Sequence, residues 1–369
     1  MYLKNVCLKN YRNYEKIQLN LNKYVNIIIG NNATGKTNLL ESIYVLALSK
    51  SFRTNNDMNL IKTNEKYCKI KSENEKNIFE FFIDDNSKIL RINKNKIKKI
   101  SDYVSNLNVI IYSPELDFII KGTPNDRRKL LNIELSQLDN KYLTCLNEFN
   151  KILKIRNEVI RNIKYKKNYN FLEIINKQFI EKSLYIYKKR FDFIKEINKE
   201  IDVIYKKITN DNNFSVEYIN NFFTDIFDYE LIKDKLLDKL TNNIEKEMNF
   251  GSTLYGPHKD DLNFNLNRQN LKIFGSEGQK KSAIIAFKLA EINIFTQNKG
   301  EKPILLLDDI FSELDIEKRN NILEYVCNDI QVIITTTDLN NFNKNILKQA
   351  KIFEINNNMV EERWEYERK

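Results

Sequence analysis

Apolar positions in the first part of the chain come in short runs. Leu3 to Leu8, Lys16 to Leu21 and Val25 to Ile29 read as strands, and the last is continuous enough for a strand buried on both faces. After a polar loop at 30–35, Leu39, Leu40, Ile43, Leu46 and Ala47 recur at helical spacing. Strand-like runs return at Ile78–Ile83, Ile89–Ile92 and Val109–Tyr112. The period then changes. Thr123-Pro124-Asn125-Asp126 has the makings of a helix start, with Thr as N-cap, Pro in the first turn and Asp three residues after the cap. Leu143, Leu146, Phe149, Leu153, Ile160 and Ile163 follow at helical spacing, as do Phe171, Ile174, Ile175, Phe179, Leu184 and Phe191. From Gly278 the α/β alternation resumes: a helix over Gly278–Gln297, a strand at Ile304–Leu307, a helix over Glu317–Cys327 and a strand at Gln331–Ile334.

Composition sharpens this outline. The 369 residues allow two or three domains. Only eight glycines and four prolines occur, and none lies between Pro124 and Gly251. That gap marks a helical insertion. We expect one α/β body built from residues 1–122 and 251–369, interrupted by a mainly helical lobe at 123–250. Basic residues outnumber acidic ones by 60 to 50, a net charge of +10 that favours non-specific polyanion binding. Basic clusters include Lys94–Lys99, Arg127-Arg128-Lys129, Lys164–Lys167 and Lys188-Lys189-Arg190. In a chain this rich in Lys, Asn and Ile, each cluster taken singly is more simply a solvated surface. No helix-turn-helix, zinc finger or RNA-recognition pattern is present, so base-specific readout is not indicated.

Other classes fall away. Mean hydropathy is −0.53, and no run reaches the roughly 18–20 apolar residues of a membrane span. The first residues lack the apolar core of a signal peptide. Cys7, Cys68, Cys145 and Cys327 lie far apart, which suits a reduced cytoplasm better than a disulfide framework or a zinc site. The single histidine, His258, excludes multi-histidine metal centres.

Three segments carry chemistry. Gly30-Asn31-Asn32-Ala33-Thr34-Gly35-Lys36-Thr37 fits G-x-x-x-x-G-K-[ST] completely, with a strand before it and a helix after it. Its glycines let backbone N–H groups wrap a phosphate, and the helix N-terminus adds its positive end. Lys36 then reaches the β- and γ-phosphates of ATP, and the Thr37 hydroxyl ligates Mg²⁺. The apolar Ile304–Leu307 runs into Asp308-Asp309. Asp308 is the second candidate Mg²⁺ ligand, and Asp309 a candidate general base for the attacking water. Gly275-Ser276-Glu277-Gly278-Gln279 opens a helix. Alone it reads as an ordinary N-cap. Beside a P-loop it reads as a second phosphate site, in which Ser276, Gly278 and Gln279 cap ATP bound to another copy of the chain.

The order of P-loop, Ser276–Gln279, Leu307-Asp308-Asp309 and Ser312-Glu313-Leu314-Asp315 resembles the ABC ATPase succession of P-loop, signature, Walker B and D-loop. The wide gap between Thr37 and Asp308 resembles the split heads of SMC-like repair proteins. Further segments resemble the bacterial RecF family: Leu8-Lys9-Asn10-Tyr11-Arg12-Asn13-Tyr14, Ser49-Lys50-Ser51-Phe52-Arg53, Ser113-Pro114-Glu115-Leu116, Lys121-Gly122-Thr123-Pro124, Arg127-Arg128 and Tyr255-Gly256-Pro257-His258-Lys259-Asp260-Asp261. The resemblance implies an ABC/SMC-like ATPase head with a mixed sheet and an inserted helical lobe. It implies a DNA-repair ATPase that dimerises on ATP and acts on single-stranded or gapped duplex DNA with RecO- and RecR-type partners. Folded as one hairpin, the insertion would reach only ~90 Å, which excludes a long SMC arm.

Two departures from the ABC pattern point to slow hydrolysis. The residue after the Walker B Asp is the shorter Asp309, and Thr335-Thr336-Thr337-Asp338 stands where ABC proteins place a switch histidine. His258 is left with two roles, contact with nucleotide or DNA, or a turn cap paired with Asp260 or Asp261. Two rival readings are a transporter's ATP-binding subunit, opposed by the motif spacing, and a nucleotide-gated scaffold that barely hydrolyses ATP.

Overall fold

Val25–Ile29, the most continuous apolar run near the N-terminus, sits inside a six-stranded sheet in this computed structural model. The structure describes residues 1–166, 169–211, 213–310, 314–327, 329–356 and 358–363. Strand order in this sheet is Met359–Arg363, Lys351–Asn356, Val25–Ile29, Val332–Thr336, Ile304–Leu307, Val109–Tyr112. Every neighbouring pair is parallel except the edge hairpin 351–363. The inner strands are buried along nearly their whole length, as parallel strands covered on both faces must be. Register aligns their carboxyl ends: Ile29 lies opposite Thr336, and Leu307 opposite Ile334 and Tyr112. Residues 30 and 308 therefore leave the sheet at one edge, where open α/β sheets place their ligands.

A second, antiparallel sheet runs Tyr14–Asn20, Asn5–Tyr11, Tyr67–Glu73, Ile78–Asp84, Lys88–Ile92, Asn95–Lys96. The strand Tyr67–Glu73 escapes the sequence reading because its buried face is Cys68, Ile70 and Ser72, alternating with Lys69 and Lys71. Helix Lys36–Leu48 packs on strands of both sheets. The sequence predicts one apolar face for it. Instead Ser42, Tyr44, Val45 and Leu48 are buried as well, because the helix has a sheet on either side.

The chain divides into two compact units: Met1–Asp117 with Val203–Asn212 and Glu277–Lys369, and Phe118–Asp202 with Asn213–Ser276. The first holds both six-stranded sheets. The second is mainly helical, built from Pro124–Leu138, Asn140–Lys166, the greater part of Tyr169–Thr209, Tyr229–Asn242 and Ile244–Phe250. Pro124 opens its helix as predicted, and the Thr123 N–H donates to Asp126 Oδ2 at 2.9 Å. Helix Tyr169–Thr209 has 41 residues, about 60 Å of rise. Its buried face differs from the sequence reading: Leu172, Ile175 and Phe179 point inward, while Phe171 and Ile174 are exposed. Leu172 packs on Ile160 of the preceding helix, which fits the inward face.

The helical unit also contains a small sheet, Gln269–Asn270, Asp261–Leu266 and Phe214–Ile219. Phe214–Ile219 lies in the glycine-free stretch that reads as a mainly helical lobe. Its Phe214/Val216 alternation is the local sign of a strand, and pairing with Asp261–Leu266 makes it one.

Candidate functional site

The loop between Val25–Ile29 and helix Lys36–Leu48 folds back on itself. Thr34 Oγ1 donates to the Asn31 carbonyl at 2.9 Å, and Lys36 Nζ donates to the carbonyls of Gly30 and Asn31 at 2.6 and 2.8 Å. Gly35 has φ +106°, and a Cβ there would come within 2.7 Å of Asn13 Nδ2 and the Tyr14 hydroxyl, so any other residue would be strained. Those two residues belong to the turn of the first hairpin. Tyr14 OH donates to the Gly35 carbonyl at 2.9 Å, Asn13 Nδ2 to the Thr34 carbonyl at 3.3 Å, and Asn38 Nδ2 returns to Asn13 Oδ1 at 2.8 Å. The Leu8–Tyr14 segment thus braces the loop from outside.

Asp308 follows Ile304–Leu307 directly, and its carboxylate accepts from the Thr37 hydroxyl at 3.1 and 2.9 Å. Thr335, on the neighbouring strand, donates to Asp308 Oδ1 at 2.7 Å and accepts from the Asp309 N–H at 3.0 Å. Asp309 itself has φ +45°. Burial pushes the Asp308 carboxyl above the usual carboxylate range, against the hydrogen bonds from Thr335 and Thr37. Burial likewise lowers Lys36 from the ordinary lysine range, against the attraction of Asp309 and Asp308.

Lys36, Thr37, Asp308 and Asp309 line a polar pocket of about 380 Å³ together with Asn32, Ala33, Gly35, Asn38 and Arg53. The sequence brings out the loop and the aspartates but not Asn38 or Arg53 as pocket residues; Arg53 lies in the Ser49–Arg53 segment already noted for its resemblance. A magnesium ion bound with phosphates needs few protein ligands, all hard oxygens. A hydroxyl against a carboxylate beside a cationic loop fits that demand. A larger groove, about 530 Å³, lies in the helical unit, where Lys182 is taken by Glu148 and Glu181.

Ser276, Glu277 and Gly278 are exposed, and Gln279 half-buried, at the start of helix Glu277–Lys299. They do not line the 380 Å³ pocket of their own chain. A Cβ on Gly278 would meet nothing within 4 Å. Ser312 and Glu313 of the D-loop-like segment lie outside the described residues.

The basic clusters separate. Arg127 is buried and forms a bidentate pair with Asp261 at 2.6 and 2.9 Å, and Arg128 donates to the Asp260 carbonyl. Arg190 is buried against Asp260 at 2.9 Å, while Lys189 pairs with Asp139 and Lys188 with Asp192. Lys167 lies outside the described residues. Lys94, Lys96, Lys98 and Lys99 are exposed, at the last hairpin of the antiparallel sheet and just beyond it. His258 is half-buried, between Phe149 and Phe179, with Nε2 3.0 Å from the Thr253 carbonyl; Asp260 and Asp261 are taken by arginines instead.

A mainly parallel sheet with a Gly-rich loop and an aspartate meeting at its carboxyl edge defines a P-loop nucleotide-binding head. Comparison with known proteins narrows the class. Residues 2–361 match the family model described as the RecF/RecN/SMC N terminal domain. The DNA replication and repair protein RecF of Staphylococcus carnosus is 38% identical over 364 residues, covering 96% of this chain and 98% of the relative. That of Staphylococcus haemolyticus is 38% identical over 365 residues, with the same coverage. A solved structure of the recombination mediator protein RecF with ATP in the RecFOR pathway superposes with TM-score 0.90 at 31% identity, covering 98% of each chain. The Smc head domain of Pyrococcus furiosus shares the fold alone, with TM-score 0.53 and 16% identity. The chain belongs to the RecF family of SMC/ABC-like ATPase heads.

Proposed function

We propose that this chain is a DNA-repair ATPase of the cytoplasm that binds ATP at Gly30–Thr37 and uses it to close a homodimer on DNA. The observation that carries the reading is the meeting of Thr37 with Asp308 at the mouth of the loop. Solved relatives described as RecF with ATP in the RecFOR pathway support it.

Thr37 and Asp308 would hold Mg²⁺, which when bound neutralises charge on the transferring phosphate. Lys36 supplies a fixed positive charge at the loop. Asp309 orients water and accepts its proton. Ser276, Gly278 and Gln279 approach the nucleotide from a second copy; the exposure of Ser276 and Gly278 at a helix start, and the absence of all three from the lining of their own chain's pocket, support that arrangement. Asp309 is a short base, and no histidine follows Val332–Thr336, so hydrolysis is slow and times release. DNA, single-stranded or as a gapped duplex, is held through its phosphates. RecO- and RecR-type proteins are the partners that fit the family.

Gel filtration with ATP, ADP or no nucleotide tests this. ATP alone shifts the wild-type chain to a dimer, and Lys36→Ala remains monomeric throughout. A Lys36→Ala chain that still dimerises with ATP refutes the mechanism.

A further inference from the structure

Glu41 is a carboxylate with no solvent exposure, on the helix that follows the phosphate loop. Four side-chain donors surround it. Arg12 grips it at both oxygens, Nε to Oε2 at 2.8 Å and Nη2 to Oε1 at 2.6 Å. The Tyr11 hydroxyl donates to Oε2 at 3.0 Å, and the Ser51 hydroxyl to Oε1 at 2.5 Å. A buried ion pair is an expensive way to pack a helix, since apolar residues of similar volume commonly do as well or better.

The geometry at Ser51 shows what the carboxylate accomplishes. Ionised Glu41 can only accept, so the single Ser51 proton must point at it. The hydroxyl's lone pairs are then left for the chain beyond. They accept from the N–H groups of Arg53 at 2.9 Å and Thr54 at 3.1 Å. This turn sends the Arg53 side chain to the nucleotide pocket. There its guanidinium donates to Asn38 Oδ1 at 2.8 Å and to Glu115 Oε1 at 3.1 Å.

We infer that Glu41 and Ser51 are positioning residues that hold Arg53 at the nucleotide, with Arg12 and Tyr11 locking Glu41 in turn. The inference rests on the reading of the 380 Å³ pocket as the ATP site. It adds a path from the first hairpin, through Glu41, to a cation on the pocket wall.

A double-mutant cycle on the full chain tests it, with a fluorescent ATP analogue and Mg²⁺ as probe. Ser51→Ala weakens binding about 5–10-fold when Arg53 is present, and by less than about twofold in an Arg53→Ala background, because residues acting through one another are not additive. Ser51→Thr, which keeps the hydroxyl, restores most of the affinity. Equal losses in the two backgrounds overturn the inference, as does a Ser51→Ala chain that binds like wild type. Glu41→Gln follows the same pattern provided its melting curve stays cooperative; the Ser51 variants decide the matter if it does not fold. Wild-type binding abolished by Lys36→Ala, beside additive Ser51 and Arg53 effects, leaves the ATP-site reading standing and sinks the relay. No binding by wild type sinks both.

Discussion

The hydroxyl of Thr37 donates to both carboxylate oxygens of Asp308, at 3.1 and 2.9 Å, across 271 positions of sequence. Parallel pairing of Val332–Thr336 with both flanking strands creates this contact. It also supplies a direct prediction. Thr37→Val keeps the shape and deletes the oxygen. Its Mg²⁺-dependent gain in ATP affinity should fall about 10–100-fold, the usual cost of disturbing a metal site, whereas Thr37→Ser stays near wild type. Titrations with Mg²⁺ and with EDTA measure the difference; an unchanged magnesium effect in Thr37→Val removes Thr37 from the metal site.

Thr335 is fully buried and serves two aspartates at once. Replacing it with Val removes a donor from the buried Asp308 carboxylate and an acceptor from the Asp309 N–H. A destabilisation of about 1–3 kcal/mol follows from taking a partner away from a buried polar group, readable by urea unfolding. The Asp308 carboxyl, already raised by burial, rises further. Ionised Asp308 is the form that binds metal. The acid limb of Mg²⁺–ATP binding therefore moves to higher pH; a limb that does not move detaches Thr335 from the site's electrostatics.

Gly278 has open space where a Cβ would go, and it sits in the first turn of its helix. Gly278→Asp is favourable there for the fold, since an anion at a helix N-terminus is stabilising by about 0.3–1 kcal/mol. Facing a second copy's phosphate it is repulsive. The expected variant is a stable monomer that binds ATP normally and shows no ATP-dependent dimer by light scattering. Normal dimerisation would place the interface elsewhere.

Lys94, Lys96, Lys98 and Lys99 form an exposed cluster, whereas the buried Arg127 and Arg190 are spent on Asp261 and Asp260. Changing the four lysines to Gln should weaken DNA binding at low salt and flatten the slope of log K against log salt by about 2–4, near one per lost phosphate contact. Arg127→Gln should instead lower the melting temperature. An unaltered salt slope in the lysine variant assigns DNA to another surface.

His258 and Asp260 make opposing contributions in acid. Burial lowers His258 to about 4 and raises Asp260 to about 6. Below pH 6.5 the unfolded chain takes up the histidine proton that the folded chain refuses, so stability falls until about pH 4. Asp260 works the other way: the folded chain is protonated first, so its cost is relieved between about pH 6 and 3.8. Each effect is about 3 kcal/mol at 1.36 kcal/mol per pH unit, and the two largely cancel. His258→Asn should make the protein more stable at pH 5 relative to pH 7 than wild type is, by thermal melting. An identical pH profile in the variant contradicts the assignment.

Much of this protein is legible along the chain. The spacing within Gly30–Thr37 is local, as is the apolar run into Asp308, because a phosphate loop needs particular φ angles and a buried parallel strand needs uninterrupted apolar residues. The start of the helix at Pro124 is local for the same reason. Other features depend on partners distant in sequence. Phe214–Ile219 is a strand because Asp261–Leu266 pairs with it, and Leu172 rather than Phe171 turns inward because Ile160 is there to receive it. Arg127 and Arg190 look like surface charge until Asp261 and Asp260 arrive beside them. Arg53 comes to the pocket wall through a serine and a glutamate that no motif spacing joins. The conformation of a phosphate loop and the start of a helix are written into neighbouring residues; which segments pair as strands, which face of a helix turns inward, which charges neutralise each other and which side chain reaches the nucleotide pocket depend on three-dimensional proximity.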